Sequence, residues 1–322
     1  MNKKLIALAV ASVVAAPAAY SADVSLYGRI NNAIQVSKDG DGSNTDISTV
    51  GSRFGIKASS ELGNGLTASG RYEFATTTDK ELDNIADLRI GTVGLSGGFG
   101  SVTVGNQWSA FFDTVGTDLD AAYTLGASLY SAAGGVYRSS NTIKYSNSFG
   151  PVYMEADLRL NESGDTADTA EALRGDGYGL GVRVSPTEVF TFAVAIDSEQ
   201  RSTGDIDRSG VSARLNLGNF YGMLGYQASE VGTNESESQV QLWLGTDFGS
   251  TRVQVGFGEA DLNFSDNSDA MRNASQITVG VYHSLGGGMK LYYEGADVSD
   301  IAGDANTYKD TTTHYFGMRY DF

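Results

Sequence analysis

Asp23-Val-Ser-Leu-Tyr-Gly-Arg-Ile-Asn31 decides how the chain is read. Val24, Leu26, Gly28 and Ile30 fall on one face of an extended segment, and Asp23, Ser25, Tyr27, Arg29 and Asn31 on the other. A period of two predicts a strand whose faces meet different media. The pattern recurs downstream. Phe54, Ile56 and Ala58 oppose Arg53 and Lys57; Leu66, Ala68, Tyr72 and Phe74 oppose Arg71 and Glu73; Leu88 and Ile90 oppose Arg89. Further on, Val194 and Ile196 oppose Asp197, and Leu291 and Tyr293 oppose Lys290 and Glu294.

The connections alternate in length. Short turns such as Leu62-Gly-Asn-Gly65 and Leu285-Gly-Gly-Gly288 take turns with longer acidic stretches. Those stretches run from Lys38 to Asp46, Thr78 to Asn84, Asn161 to Asp176, Ser198 to Arg208, Ser229 to Ser238, Asp261 to Ala274 and Val298 to Asp310. The count is about sixteen strands, an even number, which predicts an all-β fold, a transmembrane antiparallel β-barrel. Such a barrel is apolar outside and polar inside, and closure satisfies every backbone group in lipid. A soluble sandwich would bury its apolar face and has no need of this regular alternation. The final strand alternates His314, Phe316, Met318, Tyr320 and Phe322 with Tyr315, Gly317, Arg319 and Asp321, and is placed to close the ring on the first strand.

Charge and composition agree. The chain has 22 Lys and Arg against 39 Asp and Glu, a formal charge of -17, with 41 Gly, 3 Pro and no Cys. The acidic balance argues against nucleic acid, which needs basic patches. Without Cys there is no disulfide framework. Residues 1–21 read as a secretory signal peptide, with Lys3 and Lys4, an apolar Leu5–Ala16 and small residues for cleavage after Ser21 or Ala22. Residues 22–322 are then the barrel.

One stretch breaks the alternation. Between Gly105 and Tyr145 come Trp108, Phe111 and Phe112, the carboxylates Asp113, Asp118 and Asp120, and then small residues up to Tyr137-Arg138. A connection of roughly thirty residues is too long for an ordinary surface loop. Its aromatics argue against disorder. The expectation is a loop, about 106–139, that folds inward and narrows a channel.

Leu26-Tyr-Gly-Arg29, Ser52-Arg-Phe-Gly-Ile-Lys57, Gly70-Arg-Tyr-Glu-Phe74, Tyr137-Arg-Ser-Ser-Asn141 and the terminal Phe322, in this order, resemble the general diffusion porins of Gram-negative outer membranes. The resemblance implies a sixteen-stranded barrel, usually a homotrimer in outer-membrane lipid, whose third loop enters the lumen and sets carboxylates opposite a ladder of basic wall residues. It implies a basic side made by Arg29, Arg53, Arg89 and Arg138, to which strand parity adds Arg71. The acidic side would be Asp113, Asp118 and Asp120, with Glu73 beside them. Parity independently puts Arg29, Arg53, Arg71 and Arg89 on polar strand faces. Opposed charges across a narrow aqueous slot set a transverse field that orients solutes and tunes ion selectivity.

The expected function is passive diffusion of ions and small hydrophilic solutes, with no catalysis, cofactor or metal. Acidic outer loops make cation selectivity the expectation. A solute-specific channel and a barrel enzyme are the alternatives. Gly94-Leu-Ser-Gly-Gly98 has the letters of a nucleophile elbow but sits in a hairpin. The chain's two histidines, His283 and His314, share the parity of apolar residues. Lys38-Asp-Gly-Asp-Gly-Ser-Asn-Thr-Asp46 has carboxylate spacings suggestive of calcium loops but lacks the acidic residue that completes an EF-hand.

Overall fold

A computed structural model describes residues 22–39, 42–78, 87–125, 128–160, 174–201, 204–231, 236–262, 272–302 and 308–322. The signal-peptide expectation for residues 1–21 therefore lies outside the described residues. The first half of the wall comprises β1 (Asp23–Asp39), β2 (Gly42–Thr49), β3 (Arg53–Gly63), β4 (Leu66–Ala75), β5 (Asp87–Gly97), β6 (Gly100–Trp108), β7 (Arg138–Phe149) and β8 (Val152–Arg159). Then come β9 (Arg174–Val184), β10 (Phe190–Arg201), β11 (Ile206–Leu217), β12 (Phe220–Val231) and β13 (Glu237–Phe248). The wall is completed by β14 (Thr251–Leu262), β15 (Arg272–Gly286), β16 (Met289–Ala302) and β17 (Tyr308–Asp321).

Each strand pairs antiparallel with its neighbours, and β1 meets β17 from Arg29↔Asp321 to Lys38↔Thr312, so the sheet closes. On its other edge β1 pairs with β3 near its start and with β2 near its end. β2 and β3 are thus two pieces of one wall strand, giving a closed sixteen-stranded barrel. Closure removes the exposed edges that an open sheet would leave.

The two faces follow parity. On β10, Val194 and Ile196 are exposed to the outside, whereas Ala193, Ala195 and Asp197 are buried. On the outer face Leu26, Val93, Phe192, Phe316 and Met318 are likewise exposed, the apolar band expected of a wall in lipid. At the short-turn end the connections are tight. Asn64 and Gly65 both adopt positive φ, 52° and 72°, as a two-residue hairpin of type I′ requires.

The stretch from Lys38 to Asp46, expected to be a loop, is largely ladder. Pairing continues through Lys38↔Ser43 and Asp39↔Gly42. The Gly42 N–H donates to the Asp39 carboxylate at 3.1 Å, so the carboxylates are strung along a hairpin. Ser198–Arg208 is likewise mostly strand, with β10 reaching Arg201 and β11 starting at Ile206. Backbone pairing outlasts the apolar alternation because the ladder needs only N–H and C=O groups, whereas the alternation ends where lipid ends. The centres of the other long connections fall outside the described residues.

Candidate functional site

The segment from Ser109 to Tyr137 leaves the wall through a bulge. The β6–β7 register shifts between Gly105 and Gln107. Gly105 has φ +130°, and a Cβ there would stand 1.9 Å from the Gly91 carbonyl oxygen, so only glycine fits. The neck closes where the Ser109 N–H donates to the Tyr137 carbonyl at 2.9 Å. The Ser109 hydroxyl then accepts the Phe112 N–H at 3.0 Å, starting a π-helical turn over Phe112–Gly116 that runs on into Thr117–Leu119. A second short helix spans Ser128–Ala132.

The segment packs against the inner, polar-parity face of the wall. Phe111, Phe112, Val115, Leu119, Tyr130 and Val136 form a buried cluster with Ala193 and Ala195 of β10. The seat is made by small residues at inner positions. A Cβ at Gly181 of β9 would meet Thr114, one at Gly210 of β11 would meet Phe111, and one at Gly225 of β12 would meet Leu119. Apolar burial against these flat positions, at about 25 cal/mol per Å², holds the segment down.

Polar anchors surround this seat. Trp243 Nε1 donates to the Leu119 carbonyl at 3.2 Å, Gln227 to Ala133 at 2.6 Å, and Arg208 Nε to Gly134 at 2.6 Å. Arg183 donates to the carbonyls of Asp113 and Thr114 at 3.0 and 2.6 Å. Glu294 of β16, wholly buried, accepts the backbone N–H groups of Tyr123, Thr124 and Leu125 at 2.6, 2.9 and 3.2 Å. It also accepts the hydroxyls of Thr124 and, at 2.6 Å, Tyr282.

The three carboxylates of the segment have distinct surroundings. Asp113 pairs with Lys144 of β7 at 2.6 Å. Asp118, buried, pairs with Arg214 of β11 and accepts the Ser212 hydroxyl at 2.7 Å. Burial, and then the charge of Glu294, push the Asp120 carboxyl up to about 6. Among the described residues, neither Asp113 nor Asp118 pairs with Arg29, Arg53, Arg71, Arg89 or Arg138.

Those arginines form an arc of their own. Arg29 and Arg53 stand directly opposite across the β1–β3 ladder. Arg53, Arg71 and Arg89 converge on Glu73 at 3.8, 2.7 and 3.0 Å. Glu73, expected on the acidic side, is therefore the buried hub of the basic side, where it also accepts the Tyr27 hydroxyl at 2.9 Å. Arg138 stacks its guanidinium 4.9 Å above the Trp108 ring, with Arg89 5.9 Å from the same ring. Trp108 in turn stacks on Phe112 at 4.7 Å, tying the arc to the segment's core.

Sequence reading missed the rest of the arc. Arg319 and Lys290 share Asp321 with Arg29 at 2.9, 3.1 and 3.0 Å, and Arg319 lies 4.4 Å above the Tyr123 ring. The parity of the last strand marks Arg319 and Asp321 as inward, but only the β1–β17 closure brings them beside Arg29. Lys144, Arg183 and Arg214, which hold the segment, also have inward parity. His283 and His314 lie outward with the apolar residues, bonding to Thr251 and Tyr293 at 2.8 and 3.0 Å.

A closed sixteen-stranded barrel with an apolar outer band and a charged inner face crossed by one long segment defines a membrane channel of the porin type. The family profile described as Gram-negative porin matches residues 7–301. The chain belongs to the Gram-negative porin family, an outer-membrane channel family and not one of enzymes. It is 37% identical over 126 residues to the major outer membrane protein P.IB of Neisseria meningitidis. That match takes in 35% of this chain and 36% of the relative, so it spans about a third of the curated relative's length. In fold, the chain is similar to the anion-selective porin from Comamonas acidovorans, with a TM-score of 0.76 at 21% identity over 94% of this chain and 100% of that one. It is also similar to OmpF of Salmonella typhi, with a TM-score of 0.78 at 16% identity over 93% and 97% of the two chains.

Proposed function

We propose that the protein forms a water-filled channel for passive diffusion of ions and small hydrophilic solutes across the outer membrane. Its narrowest part is the slot between the Ser109–Tyr137 segment and the arginine arc, and the slot favours anions. The observation that carries this reading is the unequal sharing of charge on the arc. Among the described residues, Arg29, Arg53, Arg71, Arg89, Arg138, Arg319 and Lys290 have only Glu73 and Asp321 as paired carboxylates. Asp118 does not redress this, because Arg214 neutralises it from the wall behind, and Asp113 is held back against the wall by Lys144, which it shares with Glu155. The cation preference expected from the acidic loops thus acts at the mouth, and the arc acts at the slot, where low-dielectric walls focus the field.

The proposal includes assembly as a homotrimer, a trimer being the form named for OmpT, an outer membrane protein of Vibrio cholerae, and export with loss of residues 1–21. The test is the reversal potential of the purified channel in planar bilayers under a potassium chloride gradient. A potential of the sign set by chloride supports the reading. One of the opposite sign refutes the slot assignment. Arg89→Gln and Arg138→Gln should each move the potential toward zero.

A further inference from the structure

Lys57 lies on the inner face of β3, four residues beyond Arg53 toward the short turns, about 13 Å along the strand. It belongs to no ion pair among the described residues; its ammonium sits 4.6 Å above the Tyr27 ring. The registers set it in one transverse row, Ser25↔Lys57, Lys57↔Arg71 and Arg71↔Thr92, across four adjacent wall strands. The next row, toward the turns, presents Ser59↔Ser69. These residues line a recess of about 500 Å³.

The donors in this recess are unspent. The hydroxyls of Ser25, Ser59, Ser69 and Thr92 make no side-chain hydrogen bond among the described residues, although each is directed by the wall into the same recess. Arg71 uses Nε on the Tyr27 hydroxyl and Nη2 on Glu73, at 2.7 Å each, which leaves Nη1 available. Asp23, on the rim nearest the turns, is the lining's one carboxylate and sets a limit on its positive charge. One compact ammonium, one guanidinium edge and four hydroxyls at strand spacing suit a small oxyanion with several acceptor oxygens. A halide, with no oxygens to fill separate donors, gains less there.

We infer that this recess is a second anion site, in series with the slot, that holds a tetrahedral oxyanion of the phosphate class on the short-turn side of the arc. The inference rests on the diffusion-channel reading. The stack on Tyr27 holds Lys57 in place, and the link Lys57–Tyr27–Arg71–Glu73 joins the site to the arc. An oxyanion leaving the slot therefore meets Arg71, which the arc and the recess share, and then the Lys57 ammonium.

The test uses the full barrel in planar bilayers carrying chloride current, with inorganic phosphate titrated on one side at a time. Phosphate on the short-turn side should reduce the current saturably, and from the other side less steeply. Lys57→Gln and Thr92→Val should each raise the half-blocking concentration about two- to fivefold, the range for solvent-exposed pairs. Lys57→Arg should keep the block. A current that falls without saturation from either side overturns the site, as does a half-blocking concentration unmoved in both Lys57→Gln and Thr92→Val. The reversal potential in chloride alone, read on the same wild-type channels, separates the two readings. Anion preference without saturable phosphate block removes only the second site, whereas absence of anion preference removes the slot reading beneath it.

Discussion

Replacing Glu294 by Gln should free the part of the inner segment that it holds while leaving the barrel standing. The carboxylate accepts three backbone N–H groups, at 2.6, 2.9 and 3.2 Å, and the hydroxyls of Thr124 and Tyr282. Hydrogen bonds to a charged group are worth about 1.5–3 kcal/mol each, and a buried donor left unsatisfied costs about 1–3 kcal/mol. Glutamine keeps one oxygen and turns an NH₂ group toward donors, so at least two of the five bonds are lost. The anchoring of Tyr123–Leu125 then weakens by about 3–5 kcal/mol, which raises the open population of that stretch roughly a hundredfold or more. The wall ladder around Glu294, paired on both sides, is not touched. Hydrogen exchange read at the Tyr123, Thr124 and Leu125 amides gives the direct measurement, and single-channel current noise the functional one. Faster exchange confined to this stretch, with larger current noise, is the expected result. Amides that exchange as slowly in the variant as in the wild type would refute the anchoring role.

The Asp120 carboxyl, pushed up to about 6 by burial and the charge of Glu294, makes the segment pH-sensitive. Because its folded pKa lies above the unfolded value, its contribution to stability is fully present below pH of about 4 and is lost as pH rises through about 6, to the extent of about 3 kcal/mol. Thermal midpoints should therefore fall across that window and flatten in Asp120→Asn; a wild-type profile with no such step counts against the burial of this group. Gly105→Ala places a Cβ against the Gly91 carbonyl at positive φ and should cost more than about 3 kcal/mol, read as a lower melting temperature of the barrel. Unchanged melting would show that the bulge relaxes. Trp108→Leu removes the ring under Arg138 and beside Arg89, worth about 0.5–2 kcal/mol, and should lower the anion-to-cation permeability ratio about two- to threefold. An unchanged ratio would mean that the guanidinium groups are held without it.

Much of the fold can be read from residue order, because a wall strand between lipid and water must alternate at every step. The apolar parity of Val194 and Ile196, or of Phe316 and Met318, carries that signal one residue at a time. Strand ends carried less of it. Beyond the lipid band the hydrogen-bonded ladder tolerates any side chain, which is why Lys38–Asp46 reads as a loop yet pairs as a hairpin. The candidate site was legible in kind but not in partnership. Parity turns Arg29, Arg53 and Arg71 inward, whereas Arg89 reaches Glu73 from a bulge in the β4–β5 ladder that sets Ile90 inward beside it; broken alternation marks the Ser109–Tyr137 segment. Neither tells which carboxylate meets which cation.

Those partnerships join residues far apart in the chain. Asp118 meets Arg214, Glu294 meets the amides of Tyr123–Leu125, and Arg29 meets Asp321 of the closing strand. Glu73 shows the difference most plainly: parity gives it an inward side chain, and three neighbouring strands make it the shared counter-ion of Arg53, Arg71 and Arg89. The sequence by itself determined the barrel, its polar interior and the one segment able to enter it, because alternation and loop length are local and lipid enforces them at each residue. Only the tertiary structure decided which charges neutralise one another and which stay unshared. That depends on the register of distant strands and on closure of the ring, and ion pairing acts over a few ångströms of space, whatever the separation along the chain.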